Sequence, residues 1–83
     1  MAEVDVDAWL SDVGLALGVP TAEVLPEDVR EEILGLTGEI AHQVVRVAVP
    51  WTSYLMGVAV GRGASPAEAL RLVSQLLPET SGD

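Results

Sequence analysis

The residue types able to do acid–base or anion chemistry gather in one stretch. Ile40 to Arg62, IAHQVVRVAVPWTSYLMGVAVGR, holds the only His, the only Tyr, one of two Trp and two of four Arg, and no acid, although the chain carries 13. His42 lies one helical turn before Arg46 and three residues after Glu39. That spacing allows a His–Arg anion site or a general base. It equally makes a plain surface ladder worth about 0.2–0.5 kcal/mol per pair, which is the reading adopted here, or an edge of an interface. The hydroxyls of Thr52 and Ser53 need a base to become nucleophiles. His42 is well upstream, across Pro50, and no nucleophile-elbow pattern surrounds them. They read as caps of a helix that follows the proline. Gly61-Arg62-Gly63 before a helix start offers backbone N–H groups to an anion. It lacks the longer glycine pattern and the Lys of a phosphate loop, so it reads as a helix connection. Glu27, Asp28, Glu31 and Glu32 do not have calcium-loop spacing and read as a solvated helix start. One His without Cys does not make a typical zinc site. No catalytic residue, metal or other cofactor is therefore assigned.

The elements that must position these residues are helical throughout. Val6, Trp9, Leu10, Val13 and Leu17 recur at helical spacing, after a cap at Asp5 or Asp7 and before a stop at Gly18. Thr21 to Leu25 is a connector in which Thr21 caps a single turn. A second helix is expected from Pro26 to about Val49, with Val29, Ile33, Leu36, Ile40, Val44 and Val47 as its core stripe, widened by Leu34, Ala41 and Val45. Its Gly35 and Gly38 mark either a close backbone approach or a weak middle. Pro50 is expected to break or kink that helix. A third helix then runs to Arg62, apolar on nearly every side, with Ser53, Gly57 and Gly61 at i, i+4 and i+8 as a small-residue groove. Ser65-Pro66-Ala67-Glu68 is a capping box opening a fourth helix to Leu77, ahead of Pro78. No strand pattern or internal repeat occurs. The expectation is one all-α domain over residues 1–83. It is a compact bundle of four helices with a Pro-broken central pair, an ordered core over about 5–78 and a polar tail at 79–83.

Composition narrows the partners. The formal net charge is −9 with no Lys, which repels nucleic-acid phosphates and anionic membranes. The charge is uneven: ten acids fall in residues 1–39 and none in residues 40–67. The N-terminus is acidic, unlike a signal peptide. The apolar run Val44 to Val60 is interrupted by Arg46, Pro50, Thr52 and Ser53, short of a membrane span. A soluble, cytoplasmic protein is expected. Apolar residues make up 49%, rich for a chain that buries only about 60–65% of its surface. Part of that apolar surface is expected to be covered by a second copy or another protein.

The pattern Ala41-His42-x-Val44-x-Arg46-x-Ala48-x-Pro50-x-Thr52-x-x-Leu55-x-Gly57-x-Ala59-x-Gly61-Arg62, with Trp9-Leu10 ahead of an LALGV turn, resembles a small actinobacterial-type helical domain of unknown function. That domain occurs alone or joined to a molybdenum-cofactor guanylyltransferase of the molybdopterin-guanine dinucleotide pathway. The resemblance spans about Ala8 to Leu77. Many such domains carry Pro-Leu-Thr where this chain has Pro50-Trp51-Thr52. The resemblance implies an accessory role beside that nucleotidyltransferase. It does not imply guanylyl transfer, because the Gly-rich phosphate loop and Lys of the enzyme are missing.

Two functions follow as expectations. The first is a non-catalytic interaction module serving molybdenum-cofactor biosynthesis. It would act as a homodimer or docked on a larger protein, with Ser53, Tyr54, Gly57, Val58 and Gly61 as the interface. The second is a small-ligand or anion-binding protein using His42, Arg46, Thr52 and Arg62. A ligand site requires Arg46 and Arg62 to converge on one pocket; an interaction module puts them on a rim. A hydrolase is set aside, since no complete acid–base–nucleophile set exists.

Overall fold

A computed structural model describes residues 5–78 and is helical with no strand among them. The described residues form five helices rather than four: α1 (Val6–Leu17), α2 (Thr21–Val24), α3 (Glu27–Gln43), α4 (Ala48–Gly61) and α5 (Pro66–Ser74). The extra element is the connector, whose single turn is regular enough to count as a helix. The expected polar tail 79–83 lies outside the described residues.

Local chemistry accounts for the ends. The Asp5 carboxylate accepts the backbone N–H groups of Asp7 and Ala8 at 3.0 and 3.3 Å, capping α1. Gly18 closes α1 at φ 71°, the left-handed conformation a side chain resists, and the Val19 N–H returns to the Gly14 carbonyl at 2.8 Å. Thr21 does not cap α2; Pro20 holds that position, and the Thr21 side chain lies against Gly14 instead. Ser65 Oγ accepts the Glu68 N–H at 3.0 Å, and Pro66 opens α5. The helix ends at Ser74, three residues before the expected Leu77. The residue before Pro78 is disfavoured in helical conformation, and Gln75 to Leu77 form a closing turn.

The central break lies elsewhere than expected. α3 stops at Gln43, not Val49, and the turn is made by residues 44–47. Three of these four are Val, β-branched and weak in helices. Val44 leaves the helix at φ −111°, ψ −85°, while both Val44 and Val45 N–H groups return to the Ile40 carbonyl. Pro50 is the third residue of α4. The N–H groups of a first turn have no intrahelical acceptor, so a proline there costs no bond. Pro50 helps start a helix; it does not break one.

α3, α4 and α5 pack on one another in every pairing, whereas α1 packs on α2. Leu36, Ile40, Met56 and Ala69 form the buried core, flanked by Ala48, Val49, Val60, Leu70, Val73 and Leu77. A four-helix bundle is thus replaced by a three-helix unit with an α1–α2 arm. The arm stands off α3 across an open cleft of about 500 Å³. Among the described residues an ion pair between Arg30 Nη1 and Asp7 Oδ1 at 2.8 Å ties it to α3. The expected α1 stripe is consequently not core: Val6, Trp9 and Leu17 are exposed, and Leu10 and Val13 half-buried. On α3, Leu36 and Ile40 are buried and Val29 and Ile33 half-buried, but Leu34 is exposed along the cleft facing the α1 arm. Val44, Val45 and Val47 are exposed because the helix has ended before them. A Cβ at Gly35 or Gly38 would meet nothing within 4 Å, so of the two readings of these glycines the weak middle holds.

The result is a compact all-helical body of 43 × 39 × 21 Å with a radius of gyration of 14.2 Å.

Candidate interaction surface

The polar residues of the Ile40–Arg62 stretch are not brought together. Arg46 lies in the turn before α4, and Arg62 caps its far end. Fourteen helical residues separate them, about 21 Å of rise. His42 sits in the last turn of α3 and is exposed, as are both arginines. Thr52 is half-buried and lines an apolar groove with Ile40, Leu55 and Leu76 rather than facing either arginine. On α3 the neighbour contact of this polar face is Gln43 Nε2 donating to Glu39 Oε1 at 3.4 Å, at the long limit of a hydrogen bond. Among the described residues no group of three His, Asp or Glu is placed to hold a metal ion. Arg46 and Arg62 mark the two ends of a surface, with α4 between them.

α4 itself is the informative element. Its sequence, AVPWTSYLMGVAVG, contains no charged residue. At 100° per residue, Val49, Met56 and Val60 fall on one side and pack into the core. Trp51, Tyr54, Leu55 and Val58 fall on the opposite side, at i, i+3, i+4 and i+7. They are 66%, 73%, 67% and 39% exposed, respectively. A helix apolar all round must be covered on most faces, and here the chain covers only one. Aromatic residues in such a stripe are the type that dominate binding energy at interfaces.

Two open apolar grooves flank the α4–α5 seam, both touching Met56 and Ala69. One, of about 360 Å³, includes Thr52, Leu55, Ala59 and Leu76. The other, of about 420 Å³, includes Ser53, Gly57 and Gly61 with Val24 and Ile33 across from them. A Cβ at Gly57 or Gly61 would meet nothing within 4 Å. The small-residue groove is therefore a real depression, which no helix fills among the described residues. Of the interface residues expected from sequence, Ser53 is half-buried and Tyr54, Gly57, Val58 and Gly61 are exposed. Trp51 and Leu55, not among the residues expected from sequence, extend this exposed stripe at i, i+3, i+4 and i+7 with Tyr54 and Val58.

Among the described residues no helix is long and apolar enough to cross a membrane.

A family model described as Domain of unknown function (DUF6457) matches residues 1–83, and its description names no pathway or partner. No curated protein and no solved structure matches the chain.

Proposed function

Since the chain belongs to the DUF6457 family, its role is read from its own surface, and we propose that it is a non-catalytic interaction module presenting the outer face of α4 to another polypeptide. One observation carries this reading. An uncharged helix in a chain of net charge −9 leaves Trp51, Tyr54, Leu55 and Val58 in water along a single stripe. Contiguous apolar surface of that kind marks a protein contact. The separation of Arg46 from Arg62 along α4 supports the same reading over an anion pocket, which needs both at one place.

The setting we propose is accessory service to molybdenum-cofactor biosynthesis, beside the nucleotidyltransferase that forms the guanine dinucleotide. This rests on the sequence resemblance of the His42–Arg62 pattern. Titrating the purified domain into a purified molybdenum-cofactor guanylyltransferase, by calorimetry, tests it. Saturable binding weakened by Arg46→Glu or Tyr54→Asp is expected. No heat at high micromolar concentration of both proteins removes the pathway assignment and leaves the module itself to be judged by its α4 face.

A further inference from the structure

We infer that the cleft between α1 and α3 receives a cationic amphipathic helix from another protein, its apolar side chains between the two walls and its Lys or Arg side chains on the acidic rims. This goes beyond the reading of α4, because the cleft shares no lining residue with that helix. Shape is the first argument. The cleft holds about 500 Å³, room for a few side chains rather than a whole helix. Val6 and Leu10 stand on its α1 wall and Ile33 and Leu34 on its α3 wall. Both walls are apolar, yet α1 packs on α2 and not on α3. Val6 and Leu34 are left 54% and 73% exposed.

Charge is the second argument, and it selects the occupant. Asp7, Glu27 and Glu31 line the same cleft against a single cation, Arg30, which is already paired with Asp7. Carboxylates on both walls repel one another, which opposes closing the apolar walls together. Glu27 and Glu31 stand one turn apart on α3, a like-charge spacing that costs the helix stability until a cation lies beside it. A guest that carries cations relieves both repulsions, and one that also carries apolar side chains covers the walls.

This chain does not supply such a guest. It has no Lys; Arg46 and Arg62 mark the ends of α4, and Arg71 lies on α5. Residues 1–4 and 79–83 bring Glu3, Glu79 and Asp83 and no Arg. A second copy brings a further formal charge of −9. Nucleic acid and anionic membranes are repelled. A small polycation would neutralise the rims and leave the walls in water. An amphipathic helix laid across a groove offers apolar anchors at i, i+3, i+4 and i+7, and Lys or Arg beside those anchors meets Glu27 and Glu31.

Fluorescence anisotropy tests this, with a labelled Leu/Lys peptide of about 15 residues and Leu at i, i+3, i+4 and i+7, titrated with the full chain. Expected is saturable binding that weakens as NaCl rises from about 0.01 M to about 0.15 M. A peptide of the same composition with scrambled Leu spacing should bind at least about tenfold more weakly. Leu34→Asp is the deciding variant, because it makes the chain more acidic while removing an apolar wall. It should weaken binding at least about tenfold, whereas attraction to overall charge would tighten it. Glu31→Gln should weaken binding about 1.5- to 5-fold. Asp12→Asn, which removes one charge from α1 outside the cleft lining, should leave it unchanged at about 0.15 M NaCl, where screening acts within about 8 Å. Should Leu34→Asp lower helicity by circular dichroism, Leu34→Gln takes its place. Binding unchanged or tightened by Leu34→Asp overturns the inference. So does equal affinity for the scrambled peptide, or no binding at high micromolar concentration. Binding lost in Tyr54→Asp but kept in Leu34→Asp would also overturn it, while supporting α4 as the docking face.

Discussion

Replacing Pro50 with Ala separates two ways a proline can sit in this chain. Inside one continuous helix, Pro50 would remove a backbone bond and clash with the preceding turn, and its replacement would stabilise by about 3 kcal/mol. In the structure Pro50 is the third residue of α4. Its nitrogen belongs to a first turn whose N–H groups lack intrahelical acceptors, so Ala at this position gains no helical bond. What remains acts on the unfolded chain, which Ala leaves freer, at a cost of about 0.4–1 kcal/mol. Pro50→Ala should therefore destabilise slightly. Urea denaturation followed by far-ultraviolet circular dichroism, at one fixed protein concentration, reads this directly. Ala59→Pro, in the interior of the same helix, is the opposing control and should cost about 3 kcal/mol or more. A gain of about 2 kcal/mol from Pro50→Ala, with a rise in helicity, would refute the placement of the break at residues 44–47 and restore a continuous helix interrupted by proline.

Other outcomes follow from single contacts. Gly14→Ala would put a Cβ 2.5 Å from Thr21 Cγ2 and 2.7 Å from the Val19 carbonyl oxygen, and should cost about 1–3 kcal/mol in the same denaturation assay. Gly57→Ala meets nothing within 4 Å and should instead raise helix stability by up to about 1 kcal/mol; a loss would mean that another backbone already fills the notch. Ser65→Ala removes the acceptor of the Glu68 N–H and should lower stability by about 1 kcal/mol, with Ser65→Thr largely retaining it. Asp7→Asn breaks the pair with Arg30, both side chains being well solvated, and thermal denaturation should register only about 0.2–1 kcal/mol.

The helices were legible in the sequence because their ends are written in local chemistry. Asp5, Gly18 and Ser65 with Pro66 each act within a few residues and end or open their helices as expected, Ser65 supplying the half of its box that accepts the Glu68 N–H. The central break was misplaced because proline is a stronger sequence mark than three valines. A proline in a first turn is harmless, whereas Val44, Val45 and Val47 together leave the helix. The exposure of α1 was not legible at all. Periodicity identifies an apolar stripe but not whether anything lies against it, and Trp9 and Leu17 fit a core pattern while standing in water. The surface on α4 was half legible. The Ser53, Gly57 and Gly61 notch was evident from spacing. An uncharged helix apolar all round gives no sign of which side faces inward until Met56 is seen to join Leu36, Ile40 and Ala69.

The separation of the α1–α2 arm from α3–α5 implies two cooperative units with different lifetimes. Segments held by few apolar contacts open at free energies well below that of global unfolding. The amides of Leu10 to Leu17 should exchange with deuterium through such openings, while those around Leu36 and Ile40 exchange only when the whole domain unfolds. Each unit contains one tryptophan, Trp9 in the arm and Trp51 on α4. On heating, the Trp9 signal should report the arm's earlier transition and the Trp51 signal the loss of the three-helix unit.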